Sequence, residues 1–211
     1  MAISYPLDLP HKTSPAQTTI APSRIELAMQ VSISVNRSPF TFTAQTQKFS
    51  GDCWVAGITL PMMERTDAEC WICFLMKLKG QYGHFRMGDP LSTSLRGAGS
   101  GDSPLVNGAD QTGTSLDTDG WTISTSDIVL RGDFIQIGSY LYKVLDSEDS
   151  NGSGEATLEI WPPLRSAPAD DAPIVITDTT SLFRLKDSTI PIVSAGSDGL
   201  YDLSFTAVEY L

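Results

Sequence analysis

Five side chains could do thiol or imidazole chemistry: Cys53, Cys70, Cys73, His11 and His84. Cys70 and Cys73 form a Cys-x-x-Cys, the spacing of a redox pair or of half a zinc site. A redox pair belongs at a helix start, where free amides lower the thiol pKa. This pair falls at least a turn inside the helix that the surrounding periodicity predicts. A zinc site needs further ligands from Cys53, His11 or His84, and none stands at motif spacing. Free cysteine then reads as a small packing residue. Ser-His-Asp chemistry needs a base near a nucleophile motif; His11 lies in a Pro-rich amino terminus, His84 in a strand turn, and neither has one nearby. No Walker loop, dinucleotide fingerprint or zincin helix occurs. The expectation is a protein that is not an enzyme and that has no cofactor and no metal.

Two other groups could bind. Asp146, Glu148, Asp149 and Asn151, with Gly152 and Gly154, offer the oxygen ligands calcium takes, without EF-hand spacing; the same residues are ordinary turn formers. Trp121, Tyr140, Tyr142 and Trp161 could stack on sugar rings, although strand alternation turns most of them into a core.

The elements that carry these residues are mainly strands. Ile25, Leu27, Met29, Val31, Ile33 and Val35 alternate with polar residues over 24–35, the period of two of a half-buried strand. Asn36 to Pro39 reads as a turn, Phe40-Thr41-Phe42-Thr43 as the start of a second strand, and Lys48 to Leu60 as a third. The period then changes. Ala68, Trp71, Ile72, Leu75 and Leu78 form one apolar stripe, predicting a helix over about 67–79, with Thr66 and Glu69 as a capping box and Gly80 as its stop. Further on, Phe134 to Ile137 and Tyr140 to Leu145 predict a hairpin about Gly138-Ser139, Thr157 to Trp161 another strand, and Ser181 to Leu185 and Leu203 to Glu209 the last two. The fold class expected is mainly β with one α-helix.

Charge divides the chain. Of 25 acidic and 14 basic residues, the segment 97–178 holds fourteen and three, so the formal net charge of −11 resides there and the remainder is neutral. This predicts an inserted, separately solvated acidic β-domain over 97–178, within a neutral unit made of 1–96 and 179–211. Such a module repels polyphosphate and argues against nucleic-acid binding. No apolar run spans a bilayer, the amino terminus lacks a secretory pattern, and three cysteines make no disulfide framework. A soluble protein made in a reducing compartment is expected.

Phe49-Ser50-Gly51-Asp52 with Trp54, Ile58 to Met62, Asp67-Ala68 with Trp71, and Gly83, Phe85, Gly88-Asp89-Pro90 together resemble the amino-terminal belt domain of distal tail proteins of long-tailed, non-contractile phages. Asn107-Gly108-Ala109, Gln111-Thr112-Gly113, Gly120-Trp121, Gly132-Asp133 and Pro162 to Arg165 are similar to the second region of those proteins. The resemblance implies a β-sandwich belt domain with a helix, a second β-barrel or sandwich domain of OB-like or carbohydrate-binding type, and a hexameric ring in the virion. It also implies a tail tube protein and a tail tip hub protein as partners, and no membrane. The alternative expectation is a host-surface module whose acidic domain binds glycan.

Overall fold

A computed structural model describes residues 3–189 and 199–211. Among the described residues the chain is mainly β with one α-helix, and the strands form three sheets.

The first sheet is antiparallel and contains β1 (Arg24–Gln30), β4 (Cys53–Thr59), β13 (Ser204–Glu209), β12 (Ser181–Leu185) and β5 (His84–Met87), in that order. Its inner face presents Trp54, Ala56 and Ile58 from β4, Phe205 and Ala207 from β13, and Phe183 and Leu185 from β12, all buried. Against them lies α1 (Arg65–Leu78). Ala68, Trp71, Ile72, Leu75 and Leu78 are all buried, as their spacing predicts, and Phe74 joins them. Trp71 is the centre: its indole N–H donates to Ile20 O at 3.2 Å, and Phe74 meets it edge-on with centroids 6.0 Å apart.

The helix ends depart from the sequence reading. The N-cap is Glu64, whose side chain caps nothing, so Thr66 is already helical and no capping box forms. Glu69 instead pairs with Arg65 one turn back. At the other end Lys79 takes the left-handed cap position at φ 53°, one residue before Gly80.

The second sheet orders β11 (Ile174–Val175), β8 (Phe134–Ile137), β9 (Tyr140–Val144), β10 (Ala156–Trp161), β7 (Ser115–Asp119) and β6 (Leu105–Val106). Its two ends meet. Leu105 bridges Pro173, and Val106 N and Asp171 N bond across the seam to Ala172 O and Val106 O at 3.0 Å each. The sheet is therefore close to a closed barrel, which leaves few unpaired strand edges. Its interior is filled by Val106, Leu116, Ile128, Val129, Ile135, Tyr142, Val144, Leu158 and Ile160. The hairpin about Gly138-Ser139 falls where the sequence puts it.

All six barrel strands lie between β5 and β12 in the chain. The two connectors pass at Gly88, where a Cβ would stand 1.9 Å from Thr179 O, so only glycine fits the crossing.

The third sheet corrects the reading of 24–60. The continuous strand expected over 24–35 breaks at Val31-Ser32, and the one expected over 48–60 begins only at Cys53. Between them β2 (Ile33–Arg37) and β3 (Ala44–Lys48) form a separate two-stranded ribbon, with 38–43 as its loop. Phe40 to Thr43 is thus loop, not strand.

Replacing Trp71 by Ala should cost about 3–5 kcal/mol, the range for emptying a buried aromatic site. Denaturant unfolding of Trp71→Ala measures it; a loss below about 1 kcal/mol would place the helix outside the core.

Candidate functional site

Among the described residues the ribbon is the element that buries least. Every residue of β2 and β3 is exposed, on both faces. Ile33 and Val35 share one face at 54% and 57% exposure, and Phe40 at the loop reaches 91%. Phe42 and Phe49 are also exposed. Arg37 lies over the Phe42 ring at 4.9 Å. Residues 31–50 carry Arg37 and Lys48 and no carboxylate. A two-stranded ribbon of this kind is marginal in water on its own, and clustered exposed apolar groups mark interaction surfaces.

The base of the ribbon, unlike its tip, is fixed. Asp52 is fully buried. Its Oδ1 accepts Ser32 N at 3.2 Å, and Phe49 N donates to Ser32 O at 2.8 Å. The Lys48 ammonium sits 3.1 Å from the other oxygen, close enough to pair with it but outside hydrogen-bond geometry. The Asp52 carbonyl accepts from Arg165 Nη1 at 2.5 Å. Arg165 reaches in from the segment after β10, and its Nη2 pairs with Glu209 of β13 at 2.5 Å, both side chains being almost wholly buried. The same Glu209 oxygen accepts Trp54 N at 3.1 Å. One guanidinium thereby ties ribbon base, first sheet and barrel together.

Trp54, whose amide donates to Glu209, gathers aromatic rings about it. Trp54 donates its indole N–H to Leu141 O in the barrel at 3.0 Å, and meets Trp161 edge-on at 4.5 Å and Phe134 at 5.8 Å. The surroundings are dry enough that burial pushes the Glu209 carboxyl above its usual 4.5, against the opposing pull of Arg165 and of the Trp54 amide. Burial likewise pushes the neighbouring Cys53 thiol up.

The four aromatics expected to stack on sugars do not form a platform. Trp121 and Tyr142 are inside the barrel, at 4% and 1% exposure. The Trp121 indole donates to Thr118 Oγ1 at 2.8 Å, and the Tyr142 hydroxyl accepts Arg165 N at 3.2 Å. Tyr140 is half-buried against the barrel core, and Trp161 is held by Trp54 at the junction. In β9 Leu141 faces the first sheet's core and Tyr142 the barrel's, so Tyr142 has no free ring face to offer.

The other candidates disperse as well. Cys70 Sγ points to Gln17 O at 3.3 Å and Thr66 O at 3.5 Å, Cys73 is exposed, Cys53 is buried in β4, and all three are free thiols. Among the described residues no group of three or more His, Cys, Asp or Glu is arranged to hold a metal ion. In the acidic loop, Asp149 Oδ1 accepts Asp127 N at 2.7 Å, Asn151 Oδ1 accepts Ser153 N and Glu155 N, and Asp146 pairs with Arg131. Asn151 closes its own turn, while Asp149 and Asp146 hold the segment at 127–131. His11 stacks on Trp71 at 5.8 Å, and burial, with Lys12 beside it, holds its pKa below 6.5; His84 stacks on Tyr210 at 4.5 Å.

The chain matches no protein-family model and no curated protein sequence. The ribbon, then, is the surface that needs a functional account. Sequence reading missed it because Ile33 and Val35 alternate as a buried strand would.

Removing Arg165 alone should cost about 3–5 kcal/mol, because a buried carboxyl is left unpaired, whereas replacing both partners with apolar residues should be far milder. Urea unfolding of Arg165→Met and of Arg165→Met with Glu209→Leu checks this. In the single variant the deficit should shrink as pH falls. Glu209 has a raised folded pKa, so between its unfolded value of 4.5 and that higher value the folded state holds the extra proton and is stabilised by acid. A deficit that grows toward pH 5 would contradict the assignment.

Proposed function

We propose that the protein is a non-enzymatic structural component of a phage tail tip, whose copies join into a closed ring between the tail tube protein and the tip hub protein. The single observation that carries this reading is the exposed apolar β2–β3 ribbon on its rigid base. A free chain has no use for Ile33, Val35, Phe40 and Phe42 in water; a neighbouring copy does. The resemblance of 49–90 to a belt domain supports the same conclusion and supplies the expected number, six copies.

Charge favours a second copy as the occupant. The ribbon is cationic and free of carboxylates, while the segment 97–178 of the next copy carries the whole net charge of −11. A contact between two different surfaces of one chain is heterologous, and such contacts form rings where the rotation closes. The upper edge of the first sheet offers a further surface: among the described residues nothing pairs with the outer side of β1. The reading that the protein is instead a host-surface glycan module through Trp121, Tyr140, Tyr142 and Trp161 gains no support from where those rings lie.

Multi-angle light scattering of the full chain should show closed oligomers, and negative-stain images should show rings. A variant with 34–47 replaced by a short Gly-Ser turn, which leaves Lys48 beside Asp52, should keep its melting temperature within about 5 °C, since the replaced residues bury almost nothing, and be monomeric. Phe40→Ser with Phe42→Ser should weaken assembly at least tenfold. A full chain that stays monomeric at high concentration, with the hub protein present, would overturn the proposal.

A further inference from the structure

A cavity of about 130 Å³ opens beside the start of β1. Leu9 and His11 from the amino-terminal segment, Pro22 and Ile25, and Met87 and Pro90 wall it, so its lining is largely apolar. The wall is preformed. Leu9 and Met87 are each 2% exposed, and His11 stacks on Trp71, which ties this side to the helix core. An apolar cavity of about 150 Å³ accepts one benzene molecule, so the space suits a single phenyl ring.

The chain carries such a ring with no cover of its own. Of the two phenylalanines in the loop 38–43, Phe42 lies under the Arg37 guanidinium, whereas Phe40 is 91% exposed. The loop that holds Phe40 out is fixed. Ser38 N donates to Thr43 O at 2.9 Å and Phe42 N to Ser38 O at 3.0 Å, while Ser38 Oγ accepts Phe40 N and Thr41 N at 3.3 Å each. A side chain presented on a loop already ordered loses little freedom when it docks.

We propose that Phe40 of one copy seats in this cavity of the next, a knob in a hole. The proposal rests on the ring reading above and names the surface that receives the ribbon. Knob and hole belong to opposite ends of β1: Pro22 and Ile25 stand at its start, and the ribbon departs after Gln30, about 20 Å along at the usual strand rise. A contact between opposite ends is head-to-tail, the kind that closes into rings. The rim is electrically balanced, Asp8 and Asp89 against Lys12 and Arg86. Arg86 Nη1 stands 3.6 Å from Asp8, beyond hydrogen-bond reach, which leaves this half-exposed carboxylate available to Arg37. The larger groove about Asp117, Glu148, Asp149 and Glu155 attracts the ribbon's charge, but its walls are polar and cannot cover a ring. The acidic segment thus steers the approach, and the cavity holds what arrives.

Two exposed positions test this without touching the core. Phe40→Ser removes the knob, and Ala21→Trp, at an exposed residue lining the cavity, blocks the hole. Each full-length variant should assemble at least tenfold more weakly at an unchanged melting temperature. Mixed in equal amounts, they should form a dimer and stop, because one keeps only the hole and the other only the knob; multi-angle light scattering reads this directly. Rings of Ala21→Trp that form as readily as those of the unaltered chain, or a mixture that stays monomeric or grows past the dimer, would overturn the knob and leave the ring reading standing. An unaltered chain that never assembles would overturn both.

Discussion

Arg165 and Glu209 meet where water cannot reach, and most of the architecture is arranged around the cost of putting them there. A buried charge pair costs less the more of its remaining donors and acceptors are met. Here Asp52 O takes one arm of the guanidinium, and the Trp54 amide joins Glu209 on the oxygen that Arg165 pairs with, while Arg165 Nε and the second Glu209 oxygen stay without a partner. An apolar pair could fill the same space more cheaply. What it could not do is fix orientation, because dispersion contacts among Trp54, Trp161 and Phe134 allow sliding that a guanidinium between a carboxylate and a carbonyl does not. The barrel, the first sheet and the ribbon base thus share one set of coordinates.

The consequence for the acidic segment is that charge partition and structural separateness are different things. The strands within 105–175 close on themselves, yet Phe134 and Leu141 belong to the core of the other sheet. The line along which solvated charge is distributed runs through the chain at a different place from the line along which apolar surface is buried.

Much of this was legible in the residues. The helix stripe at Ala68, Trp71, Ile72, Leu75 and Leu78, the Gly138-Ser139 hairpin and the last two strands follow from periodicity alone, because each buries one face against a neighbour inside the same chain. The helix start was not, since Thr66 and Glu69 have capping chemistry but lie two residues too late, the chain having already turned at Glu64. The break at Val31-Ser32 was also hidden. It is made by Asp52, distant in sequence, drawing Ser32 N away from the strand ladder. The ribbon itself was misread for a deeper reason: alternation tells that a face is meant to be covered, not which molecule covers it.

The first sheet is closed at one side and open at the other. Leu7 lies parallel to β5, with Leu7 N donating to His84 O and Arg86 N to Leu7 O, while β1 has no such cover among the described residues. A sheet with one sealed border can gain strands in a single direction. Two copies that join border to border through β1 bury both free borders at once, and a third finds nothing to add to. In a cell crowded with newly made chains, accidental pairing through this sheet would stop at a pair rather than run on into a fibre, so the amino-terminal segment acts as a terminator of cross-β growth from the first sheet.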